Sequence, residues 1–348
     1  MRRRTLLTGL TGLTGLAGGP AVTAAPAHAQ SRRILHVRPG DSLQAAVDAV
    51  DGPGRTIVVH PGTYREVVNV PAGKVELTIR GASGDPRAAV LVFDNANGTP
   101  KPDGSGTYGT AGSATFTSAA PGLTVRDLTL ANDWLRADHP EITGTQAVAA
   151  HVTGDRTHFD NVRLLAHQDT LFADTTALDA FDRQYFRRCY IEGDVDFVFG
   201  RGRAVFDACH FHTLQRDVTF TPKGMVFAPA TARANPYGFL ALRGRITSGA
   251  EDAAYKIARP WVPSYETTAW PSLVVRDTWI GSGIDAVTPY TNMRDAYPWQ
   301  AMRFREHANS GPGAVVSMPA NRPQLTAEEA ATHTRTTYLG NWRPYGRP

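Results

Sequence analysis

Two aspartates are the residues of this chain whose placement most suggests chemistry. Asp169 lies ten residues after Phe159 and Asp196 ten residues after Phe186, the first in Gln-Asp-Thr-Leu-Phe, the second in Val-Asp-Phe-Val-Phe-Gly. If the two phenylalanines are equivalent points in successive coils of a parallel stack, the carboxylates sit about one strand spacing apart, roughly 4.8 Å. Like charges that close do not both ionise comfortably, so one carboxyl keeps its proton beside an ionised neighbour. That is the division of labour acid-assisted nucleophilic hydrolysis needs. A single Asp in a β-coil also serves to fix a turn or to satisfy backbone N–H groups, and spacing by itself leaves both uses open. Asp196 is the less ordinary of the two, because a carboxylate among Val195, Phe197, Val198 and Phe199 is costly to bury unless a cation or donors attend it.

Other chemistries find little support. The chain has no Gly-x-Ser-x-Gly elbow and no His-Glu-x-x-His. His210 and His212 alternate on one strand without a nearby third ligand, so they read as surface or hydrogen-bonded histidines and no metal site is expected. Arg201-Gly202-Arg203 and Arg243-Gly244-Arg245 read as turn charges, with contact to an acidic polymer as the alternative.

The elements that must position the aspartates show in a repeated triplet, apolar-x-x-apolar-x-apolar. Copies are Val125-Leu128-Leu130, Phe159-Val162-Leu164, Phe186-Cys189-Ile191 and Phe206-Cys209-Phe211, with looser ones at Ala241-Gly244-Ile246 and Val275-Thr278-Ile280. Irregular periods of this kind, in short strands rich in Val, Phe, Ile and Thr between Gly, Asp and Asn turns, point to an all-β parallel β-helix. A sandwich or propeller is the alternative, but it would show hairpin turns between neighbouring strands. Open backbone at both ends of a stack needs caps. Asp41-Ser42-Leu43-Gln44-Ala45-Ala46-Val47 reads as a cap helix with Asp41 at its N-cap, and Thr326-Ala327-Glu328-Glu329 as a capping box. The aromatic tail from Tyr338 to Pro348 is expected along the outside of the stack, and Gly98 to Gly112 as a long surface loop. Cys189 and Cys209 fall at equivalent points of adjacent coils, near 5 Å apart and so within bridging distance; a disulfide is expected.

The composition is that of a globular protein, 42% hydrophobic and 20% charged, which excludes disorder and coiled coil. No segment beyond the first thirty residues is apolar enough to span a bilayer, so no membrane association is expected. Residues 1–29 read as an export signal: Arg2, Arg3 and Arg4, a thin apolar tract diluted by Gly and Thr, then Ala27-His28-Ala29. The arginine pair suggests the twin-arginine type, and with it a secreted, extracellular protein. Removing this segment takes away three arginines and no acid, so the net charge falls from +4 to +1 and ceases to argue for nucleic acid or another polyanion. Residues 30–348, unbroken by any linker, read as one domain.

Several fragments together resemble the pectin methylesterase (pectinesterase) family of carbohydrate esterases, along nearly all of the chain after residue 29. They are Gly62-Thr63-Tyr64-Arg65-Glu66, Gly112-Ser113-Ala114-Thr115-Phe116, Gln146-Ala147-Val148-Ala149-Ala150, Gln168-Asp169-Thr170-Leu171, Gly193 through Gly200, Arg259-Pro260-Trp261, and Phe304-Arg305-Glu306 with Gly311-Pro312-Gly313. The chain departs from the family pattern at Ala258, where Gly is usual, and at Phe172, where Tyr is usual. The resemblance implies a right-handed parallel β-helix whose groove holds a pectin chain, with no metal or organic cofactor. It implies Asp196 as nucleophile, Asp169 as the acid that protonates departing methanol and then activates water, and Gln146 and Gln168 as oxyanion donors. Arg259 is expected to pair with Asp196, and Trp261, Phe199, Phe172 and Thr110 to contact the sugar. A monomer is the default expectation.

A glycosidase, a lyase, an esterase of other specificity and a non-catalytic wall-binding relative stand as rivals on the same scaffold. Two carboxylates near 5 Å also suit a retaining glycosidase, which makes reducing ends without methanol. A lyase makes unsaturated products.

Overall fold

The computed structural model describes residues 34–344. The expected export signal lies outside them. The strands form three parallel sheets, of ten, eight and seven strands, and each complete coil contributes one strand to each. Arg183–Arg187, Tyr190–Gly193 and Val198–Gly200 are one such coil. Parallel strands joined by crossovers of this kind wind right-handed. The result is a right-handed parallel β-helix, and the absence of antiparallel ladders among its strands removes the sandwich alternative.

The triplet repeat has a conformational cause. Its first positions stack in register through Val125, Phe159, Phe186, Phe206, Ala241 and Val275 in the ten-stranded sheet. Its third positions stack through Leu130, Leu164, Ile191, Phe211, Ile246 and Ile280 in the eight-stranded sheet. Between them lies a corner residue in the left-handed region: Asp127, Asn161, Arg188, Ala208, Arg243 and Asp277 have φ between 51° and 57°. That one residue turns the chain and resets which side chains face inward, so a spacing of three interrupts the usual alternation of two. The inward rings stack from coil to coil, Phe159 on Phe186 at 5.2 Å and Phe186 on Phe206 at 5.0 Å.

Irregular coil length also has a location. The 20-residue step from Phe186 to Phe206 passes almost directly from Gly200 to Arg203, whereas the 35-residue step from Phe206 to Ala241 carries segments 214–223 and 230–238. These insertions flank the seven-stranded sheet, where a groove needs walls.

Cys189 and Cys209 stack in adjacent coils as the spacing requires, yet both are free and buried. The expected bridge is not formed. Each thiol points instead at a backbone carbonyl of the preceding coil, Cys189 at Phe159 O (3.7 Å) and Cys209 at Phe186 O (3.4 Å). Burial pushes the Cys209 thiol well up, which favours the protonated donor over the thiolate.

The first cap helix, Leu43–Asp48, starts one residue later than the sequence suggested. Ser42, not Asp41, is the N-cap and accepts from Ala45 N at 3.0 Å, while Asp41 accepts from Arg38 N. Glu66 completes that cap: it accepts from Leu43 N (2.6 Å), Gln44 N and the Ser42 hydroxyl. The Gly-Thr-Tyr-Arg-Glu fragment is therefore structural. At the other end the Thr326–Glu329 capping box is present, opening the helix Ala327–Thr332. Tyr338 and Leu339 lie against Tyr185, Val205, Leu240 and Val274, an outward row of the ten-stranded sheet that is apolar because the tail covers it. Gly98 to Gly112 is not loop throughout, since Gly109–Gly112 forms one helical turn.

Glu306 ends the stack. It pairs with Val275 in register, a position apolar in the coils before it, and is 1% exposed. Arg322, itself fully buried, donates to both its oxygens (3.0 and 2.6 Å), with Tyr290 and Asn309 as further donors. Glu306→Leu leaves the Arg322 cation buried and unpaired, which costs about 3–5 kcal/mol. The expected result is a lower urea midpoint with an unchanged slope; an unchanged midpoint contradicts the assigned role.

Candidate active site

The outer face of the seven-stranded sheet carries a row that stacks in register, Thr117, His151, Phe172, Phe199 and Ala228. Its aromatic members lie nearly parallel, His151 on Phe172 at 4.4 Å and Phe172 on Phe199 at 4.2 Å. Trp261 leans over both phenylalanines, with centroids 6.0 and 5.6 Å away. Phe172, Phe199, Ala228 and Trp261 wall a groove of about 460 Å³.

Asp169 and Asp196 form the polar floor. Each precedes a strand of this row by two residues, Leu171–Ala173 and Val198–Gly200, and each takes a left-handed backbone conformation, φ 66° and 49°. Non-glycine residues occupy that region at a cost, and here it aims two carboxyls of adjacent coils into one space. Asp169 N donates to Val195 O (3.0 Å) and Leu171 N to Phe197 O (2.9 Å), which fixes one turn on the other. Gly193 makes the fold-back possible. A Cβ there would lie 2.3 Å from Phe197 Cβ and 2.6 Å from His167 O.

Burial, and after it the Asp196 charge, pushes Asp169 well above the usual carboxylate range. Burial also raises Asp196, but Arg259 opposes that shift. Its guanidinium grips both oxygens, Nε to Oδ1 at 2.9 Å and Nη2 to Oδ2 at 2.6 Å. The pair's proton is therefore favoured on Asp169, and Asp196 is the carboxyl better held as an anion. Arg259 stands two coils further along and reaches back over Ala228, whose small side chain leaves the path open.

The two glutamines sit beside the aspartates with their acceptors already taken. Gln146 Oε1 accepts from Asn97 Nδ2 (2.9 Å), and Gln168 Oε1 from the Thr145 hydroxyl (2.7 Å) and Arg136 Nη2 (3.4 Å). A guanidinium only donates, so its contact orients the Gln168 amide with N–H toward the groove. Arg136 is held by Asp194, bidentate at 2.5 and 2.9 Å. Burial raises Asp194, but hydrogen bonds from His167 and Arg136 outweigh it and hold the carboxyl well below its ordinary range.

All the residues singled out from sequence, Asp196, Asp169, Gln168, Gln146, Arg259, Trp261, Phe199, Phe172 and Thr110, line this one groove. Met293, Tyr265 and Ala228 line it too and went unremarked. So did Arg136 and Asp194. Asp194 stood in plain view two residues before Asp196, whereas Arg136 belongs to an aperiodic 3-10 turn that offers no signal. Arg201 forks onto Asp174 at 2.6 and 2.7 Å, a partner within the chain, and His210 and His212 share the Thr247 hydroxyl.

A family model described as Pectinesterase matches residues 40–342. A pectinesterase of Ralstonia solanacearum is 31% identical over 307 residues, covering 78% of this chain and 76% of its own. A pectin methylesterase from Erwinia chrysanthemi superposes with a TM-score of 0.78 at 28% identity, covering 89% of this chain and 97% of that one. A pectin methylesterase in complex with a hexasaccharide does so with a TM-score of 0.77 at 28% identity, over 88% and 94% of the two chains.

Proposed function

This chain belongs to the pectinesterase family, and on that premise we propose that its groove hydrolyses the methyl esters of galacturonate units in pectin through an aspartyl acyl-enzyme. It is a carboxylic ester hydrolase. The observation that carries the mechanism is the unequal pair: a buried Asp169 pushed well above the carboxylate range beside an Asp196 whose two oxygens Arg259 grips.

Asp196 attacks the ester carbonyl carbon, and the carbonyl oxygen takes the negative charge. Gln146 and Gln168 present amide donors to it, which stabilise developing charge without surrendering a proton. As the tetrahedral adduct collapses, the bond to the methoxy oxygen breaks and Asp169 delivers its proton there, so methanol leaves and an Asp196 acyl anhydride remains. Asp169, now ionised, takes a proton from water while the hydroxide adds to the sugar acyl carbon. Collapse frees the uronic acid, which loses its proton to solvent, and restores both aspartates. The aromatic wall suits the apolar face of a sugar ring. Secretion, with an extracellular polymer as substrate, accords with the export-type N-terminal sequence.

The deciding assay offers methylated pectin, acetylated xylan and an acyl thioester to the same protein. Methanol release from pectin, without new reducing ends or unsaturated products, is expected. Reducing ends without methanol point to a glycosidase, and pectin binding with no hydrolysis to a wall-binding protein.

A further inference from the structure

A larger concavity, 620 Å³, lies away from the catalytic groove at the corner between the ten- and eight-stranded sheets. Five arginines line it, Arg87, Arg163, Arg188, Arg243 and Arg245, and no carboxylate does. The coil register arranges four of them in two rows. Arg163, Tyr190, His210 and Arg245 occupy one outward position on successive coils, and Arg188 and Arg243 belong to the left-handed corner row, with Ala208 between them. At one strand spacing per coil, Arg163 and Arg245 stand about 14 Å apart, and Arg188 and Arg243 about 10 Å. Ala208 and Gly244 leave the space between the rows open.

Some of this charge is already paired. Arg188 reaches both oxygens of Asp160 at 2.9 Å, and Arg243 those of Asp207 at 2.6 and 2.7 Å. These carboxylates are shared, however, Asp160 with Arg187 and Asp207 with Arg335, so cations outnumber anions at the corner. Arg87 has only a 3.6 Å rim contact with Asp85. Arg163 lies over the Tyr190 ring at 5.5 Å and Arg245 bonds His210 Nδ1 at 3.0 Å. Among the described residues neither makes an ion pair.

A compact anion is best held by cations that converge on one point. Here they recur along the stack in an open groove, the arrangement suited to an extended chain bearing a carboxylate on each unit, and planar guanidinium forks match carboxylates. We propose that this groove binds a de-esterified, polyanionic stretch of uronan, the product of the hydrolysis proposed above, and so tethers the enzyme to chains it has already acted on. The identity of the polymer rests on that reading. The catalytic groove lies on the outer face of the seven-stranded sheet, so a second contact here raises the local concentration of esters near it without competing for the site.

The test compares the full-length protein with an R163Q/R245Q double variant by calorimetric titration with fully de-esterified polygalacturonate at low and moderate salt. Binding by the variant is expected to be about tenfold weaker, with a shallower salt dependence, while methanol release from a short methylated oligogalacturonate stays at the wild-type rate. Dextran sulfate and duplex DNA serve as control polyanions. A loss as large for them as for polygalacturonate makes the groove a generic basic patch and overturns the proposal, as does equal polygalacturonate affinity in the two proteins. If no substrate yields methanol but the double variant still loses polygalacturonate, the binding site stands and the esterase reading falls. Intact methanol release with unchanged binding gives the reverse.

Discussion

Asp196→Asn is expected to lower methanol release from methylated pectin by at least about 10⁴-fold, the scale on which removal of a nucleophile is felt, with the β-helix intact. The amide is nearly isosteric but cannot add to the ester carbonyl and leave again as a carboxylate. It also strips Arg259 of an anion it now contacts at 2.6 to 3.2 Å. The loss must therefore be read against a folding control, circular dichroism with a denaturant midpoint. Single-turnover experiments sharpen the result, because the variant should show neither a methanol burst nor a trapped acyl-enzyme. Methanol release that persists at wild-type rate in a correctly folded variant removes Asp196 from the role of nucleophile.

Asp169→Asn tests the other half of the pair and separates chemistry from stability. Loss of a positioned general acid and base is expected to cost about 10²–10⁴-fold in kcat, with KM little changed. Stability should move the opposite way. The folded-state pKa of Asp169 is raised far above its ordinary value of 3.8 by burial and by Asp196. Between those two values the native state binds more protons than the unfolded chain, so stability falls as pH rises through the window. Below the unfolded value the penalty is absent, and above the folded value it is complete. A side chain that never ionises escapes it. The variant should thus have a higher denaturant midpoint than the wild type at alkaline pH, and the difference should shrink toward zero as pH falls to about 4. A gain independent of pH would contradict the electrostatic account, whereas a slower but more stable enzyme is the ordinary signature of strain retained for function.

The large expected effects gather on residues whose relation was visible in spacing. Asp169 and Asp196 differ by the same 27 residues as Phe159 and Phe186, and one strand spacing follows from that alone. The apolar triplet, the capping box and the cysteine stack were legible for the same reason, since a repeat that fixes register fixes every side chain tied to it. Where local preferences compete, sequence was a poorer guide. Asp41 and Ser42 are both good N-caps, and Glu66, from the following coil, helps place the cap at Ser42. The cysteines stand at the spacing of a bridge, but the corner directs each thiol toward a carbonyl of the coil before it.

By itself, then, the sequence determined the stack, its register, the two carboxyls and the family whose motifs surround them, because these depend on periodicity and on residues near each other in the chain. Only the tertiary structure decided which carboxyl the proton favours, how the glutamine donors face and where an arginine-lined groove lies. Arg259 comes 63 residues after Asp196 and reaches it across two coils. Arg136 orients Gln168 from a turn with no periodicity, and Asp194 holds Arg136 from 58 residues away. Electrostatic balance in a buried site is a sum over charges brought together by folding, and no local pattern of residues contains that sum.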